Sequence, residues 1–173
     1  MAKKSIDETE VLESVETTKE KNKEINMNDS SYVKNICTWT VSYSREISVG
    51  DENFKELQTK LIPNREIESQ FMNNNVFYVG TGNGNHARFV IKDELLKEHL
   101  IKAGLLDKDA FILTEDICRD IINSKTMNEF KRKLDEFIIE KFEGRMFVDV
   151  ARKLKLNEYD KIKEIEKRFN VKF

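Results

Sequence analysis

No aromatic residue occurs before Tyr32, so every ring that could seed a core lies in the last four-fifths of the chain. Residues 1–31 offer only scattered aliphatics (Ile6, Val11, Leu12, Val15, Ile25) among Glu, Lys, Thr, Ser and Asn, too few to offset the entropy of ordering them. The expected organisation is a polar N-terminal arm, 1–31, in front of a body that begins near residue 32. Val11, Leu12 and Val15 lie at helical spacing, which suits a turn or two of amphipathic helix against a partner.

Within the body, 39% hydrophobic and 36% charged residues across the whole chain suffice for a core without disulfides or metal. No apolar run reaches the roughly 20 residues a bilayer crossing needs, and no secretion signal opens the chain. A cytoplasmic protein is expected, or a virion component if phage-encoded, with no membrane partner. Its two cysteines, Cys37 and Cys118, read as buried thiols rather than a disulfide or metal framework. Lys outnumbers Arg by 22 to 8, Asn and Ile are plentiful, and Pro occurs once, the signature of a low-GC genome such as that of a bacterium, its phage or a mobile element.

The periodicities predict an α+β fold, a small antiparallel sheet of about three to four strands covered by helices, with a helical C-terminal third. Thr38 to Tyr43 alternates, placing Trp39, Val41 and Tyr43 on one face of a strand. Phe54, Leu57 and Leu61 recur at helical spacing up to Pro63, and Asn64 to Phe71 reads as a second helix ended by the Asn73–Asn75 run. Val76–Val79 and Ala87–Ile91, joined by a Gly-Asn-rich loop, predict a hairpin over 76–91. Asp93 opens a helix stopped by Gly104. An α+β core over 32–106 and a helical region over 107–173, packed on the same core, follow.

In that last region Thr114 caps one helix, and Thr126 with Glu129 makes a capping box for the next. Phe130, Leu134, Ile138 and Phe142 face nearly opposite to Phe147, Val150, Ala151 and Leu154 at 100° per residue, so a straight helix cannot bury both sets. A break at Gly144 is expected. A final helix from near Asn157 carries Tyr159, Ile162, Ile165 and Phe169.

Candidate chemistry is sparse. Gly80-Thr-Gly-Asn-Gly-Asn85 resembles a phosphate cradle in glycine content, but Asn85 stands where a dinucleotide fingerprint needs its third Gly, and no Lys-Ser/Thr follows as in a P-loop. A hairpin or protein-contacting loop, with Gly82, Asn83, Gly84, His86 and Arg88 as contact residues, is the simpler reading. His86 beside Arg88 is the one pairing suited to phosphate or acid–base work, and it lacks a neighbouring nucleophile or carboxylate in sequence. No cofactor, metal site or catalytic residue is expected. Residues 125–173 carry 14 basic against 10 acidic residues, whereas the first 31 carry five against eight. Lys131, Arg132, Arg145, Arg152, Lys153 and Lys155 could therefore serve a nucleic-acid binder whose recognition helix is Arg145–Leu156, although acids interleave with them. The expectation favoured here is a non-enzymatic interaction or assembly component, such as a capsid-associated accessory protein, that docks through its arm on a protein partner or neighbouring subunit. Nucleic-acid binding is the alternative, and a phosphate-ligand enzyme using the Gly80–Gly84 loop the second.

Overall fold

The computed structural model describes residues 25–173. Its architecture is α+β. The central strand β1 (Ser30–Asn35) pairs antiparallel with β4 (Thr59–Pro63) on one side and β5 (Phe89–Ile91) on the other. A separate hairpin joins β2 (Val41–Ser44) to β3 (Asp51–Phe54). Helices α1 (Asn64–Met72), α2 (Val76–Val79) and α3 (Glu94–Lys102) accompany the sheet. The remaining helices, α4 (Glu115–Ile122), α5 (Met127–Phe137), α6 (Lys141–Lys153) and α7 (Tyr159–Phe169), form the C-terminal part.

The strand β1 begins at Ser30, inside the stretch assigned to the arm, and Ile25 and Met27 pack on the core, so the body starts earlier than residue 32. Its inward positions are Ser31, Val33 and Asn35, while Tyr32 stands in water. The polar pair is tolerated because its hydrogen bonds are made. Asn35 donates to the Trp39 and Lys55 carbonyls and accepts from the Cys37 N–H at 2.9 Å. Ser31 donates to Asn64 Oδ1 at 2.6 Å.

Two expectations in this half are corrected. The helix anticipated over Phe54–Leu61 is instead the end of β3, a turn and β4. Phe54 is buried at the strand end, Leu57 occupies the turn with a left-handed φ of 51°, and Leu61 faces outward on β4. Their helical spacing arises from three different environments. The 76–91 hairpin is also absent, because Val76–Val79 is one helical turn whose start is capped by the Asn75 side chain, which accepts from the Phe77 N–H at 3.0 Å. That turn buries Tyr78, whose hydroxyl donates to Tyr43, and β5 pairs with β1 instead. The predicted burial of Val41 and Tyr43 holds, with Trp39 half-buried between the two core clusters. The α3 helix begins after an Asp93 cap as the sequence indicates.

One cluster packs Tyr43, Phe54, Phe71, Tyr78 and Phe89 ring against ring with Val33, Ile67 and Leu96. A second is built by α4 to α7 around Phe130, Leu134, Phe147 and Ile165. Both cysteines are buried, and burial pushes each thiol up to about 12. The expected break between opposed apolar faces is present, but it falls at 138–140 rather than at Gly144. Gly144 lies inside α6, where a Cβ would stand 2.7 Å from Phe169 Cδ1, so its missing side chain is the seat for α7's ring. Tyr159, assigned to the apolar stripe of α7, is exposed, whereas the buried Lys161 reaches back to the carbonyls of Ile122, the last residue of α4, and Ser124 just past it. These are carbonyls that a helix end leaves without intrahelical partners.

Two buried carboxylates hold the hairpin to the sheet and α1. Burial would raise Glu52, but hydrogen bonds from Lys60 and Arg45 outweigh it and hold the carboxyl below its ordinary range. Burial likewise opposes ionisation of Glu66, and Gln70 together with the N–H groups of Glu46 and Ile47 reverses the effect. Carboxyls depressed in the folded state contribute stability above the unfolded value of about 4.3, and that contribution is lost as pH falls through their native values. The urea midpoint is therefore expected to drop steeply below about pH 4, and a Glu52→Gln/Glu66→Gln double variant to show a flatter acid limb. An unchanged acid limb in that variant would remove these two groups from the explanation.

Candidate interaction surfaces

The glycine loop closes on itself and on the C-terminal helices. Thr81 N–H donates to the Asn85 carbonyl, and His86 N–H to the Phe111 carbonyl at 2.6 Å. The Asn83 and Asn85 side-chain amides both donate to the Asp107 carboxylate, at 3.3 and 2.8 Å. An anion seated over Asn83 and Asn85 would meet that carboxylate, which disfavours a phosphate there. Gly82 and Asn83 are exposed, whereas Gly84 is buried.

The partner that the sequence did not supply for His86 comes from 57 residues downstream. His86 Nδ1 lies 2.7 Å from Glu143 Oε1, with the carboxylate fully buried. The second oxygen of Glu143 accepts from the Ile139 and Glu140 N–H groups at 3.0 Å each, so one side chain both starts α6 and ties down the loop. His86 holds a left-handed φ of 54°, and its ring packs on Phe111. Arg88 does not join it in a charge cluster. Its guanidinium lies between the Phe77 and Phe142 rings, 4.9 and 4.7 Å from their centroids. Such a buried His–carboxylate pair can orient an imidazole for proton transfer. Here no described hydroxyl or thiol is hydrogen-bonded to His86, and the carboxylate is occupied by the backbone. His99, in turn, pairs with Glu68 at 2.7 Å. Among the described residues no group of three His, Cys, Asp or Glu side chains is placed to hold a metal ion.

Two open surfaces lie elsewhere. The first is the outer face of the three-stranded sheet. Tyr32 and Leu61 are cross-strand partners 59% and 56% exposed, and Leu57 nearby is 44% exposed. Beyond Lys34 and Leu57 lies a cleft of about 400 Å³ floored by Ile36, Val90, Leu113, Met146 and Val150 and edged by Lys34, Lys92 and Glu56. The sequence carried a signal for it in the alternation of Tyr32 and Lys34 with Val33, obscured by the polar inward residues.

The second surface is a groove of about 680 Å³ between α6 and the C-terminal end of α7. Lys141, Arg145, Val148 and Arg152 recur at i, i+4, i+7 and i+11, which aligns them along one stripe of α6. Arg168 faces them from α7, and Phe169 and Val171 supply apolar lining. Arg145 is braced over the Trp39 ring at 4.2 Å.

Of the basic residues singled out from sequence, Arg145 and Arg152 thus converge on one groove. The others do not. Lys131 pairs with Glu164 and Arg132 with Glu136, both on or beside α5, while Lys153 turns to Glu115. The hydrogen bond from Lys153 holds Glu115 below its ordinary range. Lys155 is exposed just past the end of α6, with φ 56°. Lys141 shares the spacing of Arg145 and Arg152 but lies ahead of the expected recognition helix, and Arg168 is a member of the groove that spacing alone did not reveal. Val11, Leu12 and Val15 lie outside the described residues. No described helix is long and apolar enough to cross a membrane. Comparison with family models, with curated proteins and with solved structures yields no match.

Proposed function

We propose that this chain is a non-enzymatic interaction or assembly component. The observation that carries this reading is the outer sheet face, where Tyr32 and Leu61 pair in water and an apolar cleft opens beyond Lys34. An antiparallel sheet commonly leaves one face to solvent, but that face is then polar along its strands. A contiguous apolar patch rimmed by charge marks a protein contact. With Lys34 and Lys92 at its edge, the matching surface is a protein partner that brings apolar side chains flanked by carboxylates. An accessory role in a phage or mobile-element particle suits both this surface and the low-GC composition.

The test is a Tyr32→Glu/Leu61→Lys double variant, purified with its native assembly and followed by light scattering and cross-linking. Both positions are exposed, so thermal unfolding should move little. The expected result is loss of the complex with an unchanged near-ultraviolet circular dichroism spectrum. A complex that survives the double substitution would remove the sheet face as the contact.

Nucleic-acid binding is a second reading, favoured by the aligned cations Lys141, Arg145 and Arg152. Its signature is retention on DNA or RNA at low salt that weakens linearly with the logarithm of salt concentration.

A further inference from the structure

We propose that the groove between α6 and α7 is the docking site of the chain's own N-terminal segment, residues 5–18. The groove is lined by four cations, Lys141, Arg145, Arg152 and Arg168, against one acid, Asp149. Asp149 is itself engaged by the Thr38 hydroxyl at 2.6 Å, and Arg168 by Asp135 at 2.6 Å. Lys141 and Arg145 form no ion pair with any described residue. Two fixed positive charges on adjacent turns of α6 are thus left for an anionic occupant.

The chain carries such an occupant. Residues 5–18 contain Asp7, Glu8, Glu10, Glu13 and Glu16 and no Lys or Arg. On a helix, Val11, Leu12 and Val15 form a short apolar stripe that Glu8 closes at its N-terminal end, with Asp7 and Glu16 on its two flanks. That pattern is the counterpart of a groove whose apolar lining, Val148, Phe169 and Val171, lies between cations. A phosphate backbone would satisfy the cations but leave the apolar lining without a partner, so an amphipathic acidic peptide fits better than nucleic acid.

Reach and concentration agree with an intramolecular contact. The eight residues between Glu16 and the first described residue, Ile25, make nine steps that extend to about 30 Å at ~3.3 Å per step. A body of this size has a radius of gyration of about 15 Å. A tether of this length sets an effective concentration in the millimolar range, so even weak docking is populated.

This inference stands apart from the sheet-face reading, and the sheet-face variant leaves it untouched. The test is amide hydrogen exchange of residues 5–18 in the full-length chain at low salt. Exchange around Val11–Val15 is expected to be slowed about ten-fold, and to return to the random-coil rate in Lys141→Glu/Arg145→Glu. Adding Asp7→Lys and Glu16→Lys to that variant should restore protection, and this rescue separates charge pairing from a damaged fold. Protection should be the same across a dilution series. Unslowed exchange in the wild type, or equal exchange in wild type and reversal variant, would overturn the proposal. Protection that disappears on dilution would place the occupant on a second molecule and overturn the intramolecular contact. Loss of DNA retention in Lys141→Glu/Arg145→Glu with no change at residues 5–18 would give the groove to nucleic acid instead.

Discussion

Replacing Gly80 by alanine is expected to destabilise the protein by about 3 to 5 kcal/mol, through a strained backbone and a steric overlap acting together. Gly80 has φ 59° and ψ −124°, a combination that L-residues avoid. A Cβ built there would lie 1.9 Å from the Asn85 carbonyl oxygen and 2.6 Å from the His86 carbonyl carbon. Both are backbone atoms, so no rotamer change relieves the overlap, and Asn85 cannot withdraw without breaking the hydrogen bond from Thr81 N–H at 2.8 Å. At roughly 2 to 4 °C per kcal/mol for a chain of this size, the thermal midpoint should fall by about 10 °C. Calorimetry of the purified variant reads this directly. A midpoint within about 2 °C of wild type would mean that the loop rearranges freely and that its closure contributes little. Gly82, two residues on, is an internal control, because a Cβ there meets nothing within 4 Å; its own φ of 149° still makes a substitution strained, so only the overlap component is absent.

The contrast between these two glycines shows how far sequence carries. Glycine content marks 80–85 as a place where the chain needs freedom, yet it does not say which glycine is pressed against backbone. The same limit explains the misplaced helix break. Opposed apolar faces on either side of residue 140 are a periodicity argument, and the two helices it demands are present. Gly144 was the natural place to cut, but its small size serves a contact with Phe169, 25 residues away, that no local pattern records. Capping chemistry is short-range and was legible for that reason. Thr114, Thr126 and Asp93 all accept from the N–H three residues on, as their sequence contexts indicate.

Where polarity and environment disagree, the sequence misled. β1 places Ser31 and Asn35 inward and Tyr32 outward, inverting the pattern by which a half-buried strand is recognised. The inversion is sustained by long-range partners, Asn64 for Ser31 and the Trp39 and Lys55 carbonyls for Asn35. The candidate surfaces were legible in proportion to their locality. Arg145 and Arg152 share a helix face and could be paired from spacing, whereas Arg168 joins them only because α7 folds back along α6. For His86 no spacing argument could have found Glu143.

That pair gives the second large effect. Glu143→Ala is expected to cost about 3 to 5 kcal/mol, because truncating this fully buried carboxylate orphans three donors at once. Those donors are His86 Nδ1 at 2.7 Å and the N–H groups of Ile139 and Glu140 at 3.0 Å each. Glu143→Gln keeps one acceptor oxygen and nearly the same volume, so a smaller loss of about 1 to 2 kcal/mol is expected. His86→Ala removes a single partner and should fall between them. In a double-mutant cycle, His86 and Glu143 should show a coupling of about 1 to 3 kcal/mol, since they are in direct contact. Urea unfolding of the four proteins measures this, and additivity to within about 0.3 kcal/mol would show that the contact holds nothing together. The comparison also bears on chemistry. A carboxylate that serves as a clasp between the loop and α6 loses stability on truncation and speeds amide exchange at both ends of the contact. A carboxylate that serves to orient His86 for proton transfer would instead show a pH-dependent loss of turnover in Glu143→Gln out of proportion to its stability. Because two of its three hydrogen bonds come from backbone N–H groups, Glu143 is expected to behave as the clasp.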